Sequence, residues 1–233
     1  MSSVLLSICI PTFNRVSYLR ELLPRMLAQI QALDQKGTVE VVVSDNASTD
    51  DTGAYCRSLN CSEMVYFRNE VNIGGDRNFL ACVGRSTGKY VWLFGDDELL
   101  EDGGVSHVCS ALIRLQPTLA ILCDKQDGCD VAYADYRACL ESEMKGNPLF
   151  PLAHTLITAN VFLKSTFDLD YAKSRLFTNY AHMLGFMCSL RNAKGVATLS
   201  KVIAVRAQRA QFAHWPFALC IKQAYYLWCI AKW

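Results

Sequence analysis

The feature that most constrains this chain is an alternation of short, continuous runs of bulky apolar residues with stretches of helical spacing. "VLLSICI" (4–10), "VEVVVSD" (39–45), "MVYFRNE" (64–70) and "KYVWLFGD" (89–96) read as strands, the first closed by Pro11. Runs this short and this apolar suit strands covered on both faces. Between the first two, Leu19, Leu22, Leu23, Met26, Leu27, Ile30 and Leu33 recur at spacings of three and four, which predicts an amphipathic helix over 16–34 with a kink near Pro24. "GGDRNFLACVGRST" has helical spacing at Phe79, Leu80 and Val83. Strands separated by helices connect right-handedly into a largely parallel sheet, so the expected class is α/β, a doubly wound nucleotide-binding type of domain.

In such a sheet ligands bind outside the carboxyl ends of the strands. Those ends carry "PTFNR" (11–15), "SDNASTDDT" (44–52), "NEVNIGGDRN" (69–78) and "GDDE" (95–98). Each cluster alone has a plain structural reading: a turn and helix cap, a glycine turn, a solvated loop. Their joint occurrence at every strand end along one sheet edge favours a single site. Mg²⁺ and Mn²⁺ prefer carboxylate oxygens and keep positions open for substrate phosphates, whereas like charges without a cation would repel. Gly74 and Gly75 allow a ligand close to the backbone, Arg77 and Asn78 supply donors near a helix start, and Asp45 can accept a hydrogen bond from a base. Together these parts describe a site for a nucleoside diphosphate and a divalent cation.

Composition narrows the alternatives. With 233 residues, 52% apolar and 19% charged, the chain can bury a substantial core in one α/β domain, which excludes disorder as its general state. A net charge of +1 argues against a broad nucleic-acid surface. The eleven cysteines are odd in number and contain no CxxC pair, so they read as reduced core residues of a cytosolic protein. "MSSVLLSICIPTFNR" has neither the basic start nor the long apolar segment of a signal peptide, and no stretch reaches the roughly 18 apolar residues of a membrane span.

Taken in order, "SICIPTFNR", "VVVSDNASTDDT", "NIGGDRNF" and "YVWLFGDDELL" resemble the family 2 glycosyltransferases of the GT-A fold, and within them the abequosyltransferase-like branch of bacterial O-antigen and capsule enzymes. The likeness is specific over about residues 5–105 and weaker to about 190. It implies a GT-A type three-layer α/β/α sandwich that transfers a sugar from a nucleotide-diphosphate sugar to a lipid-linked saccharide, with inversion. It further implies that Pro11, Thr12 and Arg15 border the nucleotide, that Asp45 contacts the base with Asn46 beside it, and that Gly75, Asp76 and Arg77 flank the ribose and diphosphate. "GDDE" takes the place of the family's DxD motif, with Asp96, Asp97 and Glu98 as the candidate ligands of Mg²⁺ or Mn²⁺. Many members have an acid where this chain has Phe94, so the acidic set is displaced and the roles within it stay open.

Family members commonly carry a Glu-Asp pair at a late helix start as the catalytic base, and no such pair occurs between residues 155 and 195. His182 in "FTNYAHMLGFM" is the candidate base, with Asp97 as the second candidate catalytic group and Asp168 or Asp170 as alternatives. Three segments are expected: a nucleotide-sugar half (1–124), an acceptor-side half (125–205) and a basic, aromatic tail (206–233). Residues 125–152 are rich in turn formers and read as a mobile loop or small acceptor-side insertion. In the tail region Arg206, Arg209 and His214 either approach the diphosphate and metal or form a solvated edge. "FALCIKQAYYLWCIAKW" either packs as a helix against the domain or a partner subunit, or lies at the inner face of the cell membrane near a lipid-linked acceptor. Two other classes fit less well: a non-catalytic nucleotide-sugar-binding module of the same fold, and a sugar nucleotidyltransferase, whose glycine-rich loop "IPTFNRVSYLREL" lacks.

Overall fold

A computed structural model of the chain describes residues 4–35, 37–123, 128–147, 157–174, 176, 181–191, 194–200 and 203–204. The expected strand–helix alternation forms β1 (Leu6–Thr12), α1 (Val16–Gln31), β2 (Val39–Asp45), α2 (Thr52–Ser58), β3 (Met64–Arg68), α3 (Gly75–Arg85) and β4 (Tyr90–Leu93). These strands are parallel, in the order β3-β2-β1-β4. β4 is shorter than its apolar run because the chain turns at Gly95. Phe94 still donates its amide to Cys9 O (2.8 Å), and its side chain is fully buried edge-on to Trp92 at 5.0 Å. An acid at this position would stand in the core of this chain.

The second part completes the sheet. After β5 (Leu99–Leu100) and α4 (Gly104–Leu115) come β6 (Leu119–Cys123), β7 (Val131–Tyr133), α5 (Tyr136–Gly146) and β8 (Asn160–Leu163). The short α6 (Leu169–Lys173), α7 (Ala181–Arg191), β9 (Val196–Ser200) and β10 (Ile203–Ala204) follow. The full order is β3-β2-β1-β4-β8-β6-β9-β7; β8 and β7 run against the others, and β10 pairs with β5 in a separate ribbon. Residues 136–146, expected within a loop, are helical. Asp135 caps α5 by accepting the Ala138 amide (2.8 Å), and Cys139, Leu140 and Tyr136 face the core.

Period-2 alternation divides the strand side chains between two apolar layers. Ile8, Ile10, Val41, Val43, Tyr90, Trp92 and Phe94 pack with Leu19, Leu22, Leu23 and Met26 of α1 and Val105, Val108 and Leu112 of α4. Cys9, Val42, Val91 and Leu93 pack with Leu80, Cys82 and Val83 of α3, and with Phe162, Phe167 and Ala172. Layer, sheet, layer is the sandwich that the sequence predicts. Among the described residues no helix is long and apolar enough to cross a membrane, and Cys9, Cys56, Cys82, Cys109, Cys139 and Cys188 are buried, as their apolar settings predict. The segment 206–233, including Arg206, Arg209 and His214, lies outside the described residues.

One close approach locks the α3–β4 connection to the first strand. A Cβ added at Gly88 would lie 2.6 Å from Ser7 Oγ, 2.7 Å from Ser7 N and 2.9 Å from Leu6 C. Two of these atoms are backbone and cannot rotate away. Gly88→Ala is therefore expected to lower stability by about 3 kcal/mol, read as a shifted urea midpoint at unchanged slope; an unshifted midpoint would mean that β1 yields more easily than its buried pairing indicates.

Candidate functional site

The strand order reverses between β1 and β4: β1 connects through α1 to β2 on one side, while the chain leaving β4 proceeds to the other. Such a switch point leaves a crevice beyond the carboxyl ends of its two strands. Thr12 ends β1 and "GDDE" follows β4, so register alone brings these segments together. Thr12 Oγ1 donates to Asp96 Oδ2 (2.7 Å), and Arg15 Nη1 lies 3.0 Å from Asp97 Oδ2 and 3.5 Å from Asp96 Oδ1. Gly95 makes the turn tight, since a Cβ there would meet Glu98 Cγ at 3.0 Å and Asp97 Oδ1 at 3.2 Å. Its amide donates to Thr158 Oγ1 (2.9 Å), which ties the acidic turn to the second part of the sheet.

The three acids differ in setting. Asp96 is buried, and removal from water pushes its carboxyl up to about 6; the Arg15 charge and the Thr12 hydrogen bond oppose that rise, and neighbouring Asp97 adds to it. The Asp97 side chain is 35% exposed beside Arg15. Glu98 is folded back under the turn and only 2% exposed. Among the described residues no three His, Cys, Asp or Glu side chains gather into a cage able to hold a metal alone. Mg²⁺ and Mn²⁺ do not need one, because one or two carboxylates and substrate phosphates commonly suffice. Asp96 and Asp97 offer hard oxygen donors and already share one positive group, so they fit a divalent cation.

Beside this pair, β2 ends on Asp45, which is fully buried. The parallel register places Asp45 opposite Arg68, and its Oδ2 accepts from Arg68 Nη1 (2.7 Å) and Tyr66 Oη (2.6 Å), while Oδ1 accepts the Ser48 amide (2.8 Å). Burial alone would raise this carboxyl; the hydrogen bonds from Ser48, Tyr66 and Arg68 outweigh it and hold the group below its ordinary range. A nucleobase reaching Asp45 would have to displace one of these donors.

Asn46 fastens the next loop. Its Oδ1 accepts from the Ile73 amide (2.9 Å) and Asn69 Nδ2 (3.1 Å), and its Nδ2 donates to Asn72 Oδ1 (2.8 Å), which also accepts the Gly74 amide. Deeper in, Asn78 Nδ2 donates to Ser44 O (2.8 Å), and its Oδ1 accepts from Ser44 Oγ (2.8 Å) and Asn69 Nδ2 (3.0 Å). Arg85 reaches Ser44 Oγ and Asn69 Oδ1 from the end of α3. Thus Asn78, expected as a ligand donor, is a buried member of the frame. This network presents the start of α3 at the rim: Gly74 has φ +83°, Gly75 faces open space, Asp76 is buried and Arg77 is exposed.

Several contributors escaped the sequence reading. Asn14 has φ +53°; its Oδ1 accepts the Thr49 amide (2.7 Å) and its own amide donates to Ser48 Oγ (2.9 Å), which latches the β1 and β2 loops together. Phe13, 40% exposed, presents an apolar ring beside the crevice. The density of asparagines at 46, 69, 72 and 78 was the available signal for the frame. Pro11 is buried as part of β1. His182 falls in the first turn of α7, but its side chain lies outside the described residues. Asp168 caps α6 by accepting the Tyr171 amide (2.9 Å), and Asp170 is exposed and pairs with Lys173.

A family model described as "Glycosyl transferase family 2" matches residues 7–163, more than half of the chain. The chain belongs to that family. The family 2 abequosyltransferase-like resemblance also finds a relative: abequosyltransferase RfbV of Salmonella typhimurium is 41% identical over 133 residues, covering 55% of this chain and 38% of that protein. The Campylobacter jejuni GalNAc(5)-diNAcBac-PP-undecaprenol beta-1,3-glucosyltransferase is 33% identical over 104 residues, 43% of this chain and 32% of that one. The chain thus spans well under half the length of these relatives in the matched regions. Among solved structures, S. aureus TarS in complex with UDP-GlcNAc superposes with TM-score 0.63 at 19% identity, covering 86% of this chain and 58% of that one. The mannosyltransferase PcManGT of Pyrobaculum calidifontis, in complex with GDP-Man and Mn²⁺, gives 0.58 at 12% identity over 86% and 55%. The fold is the expected GT-A type α/β sandwich.

Proposed function

We propose that this chain carries the donor site of a glycosyltransferase that moves a sugar from a nucleotide-diphosphate sugar to a lipid-linked saccharide during bacterial cell-surface polysaccharide synthesis. The observation that carries the reading is the joining of Thr12, Arg15, Asp96 and Asp97 at the sheet's switch point. The undecaprenol-linked glucosyltransferase relative supports the acceptor class, and the UDP-GlcNAc and GDP-Man complexes of the structural neighbours support the donor class. The work would take place in the cytoplasm, at the inner face of the membrane.

In this reading Pro11 and Thr12 form the floor beneath the nucleotide, Phe13 offers a face to the base, and Asp45 and Asn46 hold the surrounding loops. Gly75, Asp76 and Arg77 border the ribose and diphosphate. Asp96 and Asp97 would hold the divalent cation, and Glu98 would join them only by leaving its buried position. When bound, the cation would offset charge on the departing diphosphate. His182 would take the proton from the acceptor hydroxyl as that oxygen attacks the anomeric carbon opposite the diphosphate, inverting the centre.

The test is a panel of nucleotide sugars assayed for nucleotide release with Mn²⁺. One donor should release nucleotide, with release abolished by EDTA and accelerated by a lipid-linked saccharide. Phe94 in the core, where many members carry an acid, favours a second reading as a binding module. Metal-dependent nucleotide binding without turnover of any donor would select it.

A further inference from the structure

Two carboxylates of the same sign stand side by side at the β4 turn, one of them buried. Such a pair needs a positive group close by, and Arg15 supplies it, with Nη1 at 3.0 Å from Asp97 and 3.5 Å from Asp96. A divalent cation would need the same carboxylate oxygens. Two cations cannot share that position without strong repulsion, so the guanidinium must leave when the metal enters. The structure separates a fixed anchor from a movable arm. Around Arg15 the backbone is pinned: its carbonyl accepts the Tyr18 and Leu19 amides, Asn14 is held by Thr49, and the Val16 amide donates to Asp50 Oδ2. The side chain is 41% exposed, with its guanidinium over the Tyr18 ring at 5.3 Å, so it has a route outward. A released guanidinium at the mouth of a diphosphate site meets an anion whose oxygens match its planar fork.

We infer that Arg15 is the resident counter-cation of the Asp96–Asp97 pair, that it competes with the divalent cation for them, and that it transfers to the donor's diphosphate once displaced. The inference rests on the metal and nucleotide sites proposed above and adds an exchange to them. It predicts effects of opposite sign from a single residue. Without nucleotide, Arg15→Gln should bind Mn²⁺ about fivefold more tightly than the unaltered chain, because the carboxylates are no longer partly closed by an internal ion pair. With Mn²⁺ saturating, the same variant should bind UDP or GDP, whichever the unaltered chain binds, about tenfold more weakly, having lost a charged donor. Arg15→Lys should fall between on both measures.

The experiment is a Mn²⁺ titration followed by the spin-resonance signal of free Mn²⁺, then calorimetric titration with UDP and GDP. Asp96→Asn is run in parallel and thermal melting confirms that each variant folds. A merely structural Arg15 would weaken both ligands together or neither. If Mn²⁺ binding is lost in Asp96→Asn but not tightened in Arg15→Gln, the metal site stands and the exchange is overturned. If Mn²⁺ binds none of the proteins, the metal site and the exchange fall together.

Discussion

Replacing Asp96 by asparagine is expected to lower donor turnover about a thousandfold while making the protein more resistant to heat at neutral pH. The loss follows from the proposed role: an amide oxygen cannot replace a carboxylate as an anionic metal ligand, and electrostatic support of a leaving diphosphate is worth several powers of ten. The gain follows from burial. A carboxyl raised from 3.8 to about 6 binds its proton more tightly in the folded state. Its ionisation therefore costs the fold nothing below the unfolded value, progressively more between about pH 4 and 6, and the full amount above that. A rise of about two pH units corresponds to about 3 kcal/mol. Asparagine is nearly isosteric with the protonated acid and can still accept from Thr12, so the variant should melt about 5–10 °C higher at pH 7.5. Near pH 4 the two proteins should melt together. Undiminished turnover would remove Asp96 from the metal site; equal melting at pH 7.5 would show that its ionised form is not penalised.

Asp45→Ala should do the reverse and lower the melting temperature on the order of 10 °C. The side chain is fully enclosed and gathers Tyr66, Arg68 and the Ser48 amide at one point. Truncation leaves a phenol, a backbone amide and a guanidinium without their acceptor, and the 46–52 loop loses the contact that turns it back across β1. The pH dependence also has the opposite sign to that of Asp96. A depressed carboxyl stabilises the fold fully above its unfolded value of 3.8 and loses that contribution as the pH falls through the lower folded value. The difference between Asp45→Ala and the unaltered chain should therefore be constant from pH 5 to 8 and shrink only in stronger acid. A melting temperature unchanged at pH 7 would mean that the loops are held by the asparagine frame alone.

The first four strands and the helices α1 and α3 were legible because each is specified locally, by a continuous apolar run or a three-and-four spacing. The rim was legible from the rule that parallel strands end together. Pairing within the rim was not. Asp45 and Arg68 are 23 residues apart in the chain and meet through the parallel register of β2 and β3, which no local pattern encodes. Asp45 therefore read only as a base contact, with no sign of the three donors that its carboxylate holds. Arg15 read as a nucleotide neighbour, while its link to Asp96 and Asp97 depends on β1 and β4 being adjacent. The glycines, asparagine and proline of residues 125–152 point to a mobile loop or small insertion, although Asp135 and the spacing of Tyr136, Cys139 and Leu140 signal the helix.

The antiparallel β8 has a consequence for the chain as it is made. It lies between β4 and β6, yet its residues follow both in the sequence, so the flank of β4 stays open until synthesis has passed Leu163. The Trp92 indole and the Gly95 amide wait for Thr158 over the same interval. The acidic turn is thus translated early and fastened late. For a nascent chain, β1, β2 and β3 can assemble while the carboxylates meant for a cation still hang from an unfinished edge.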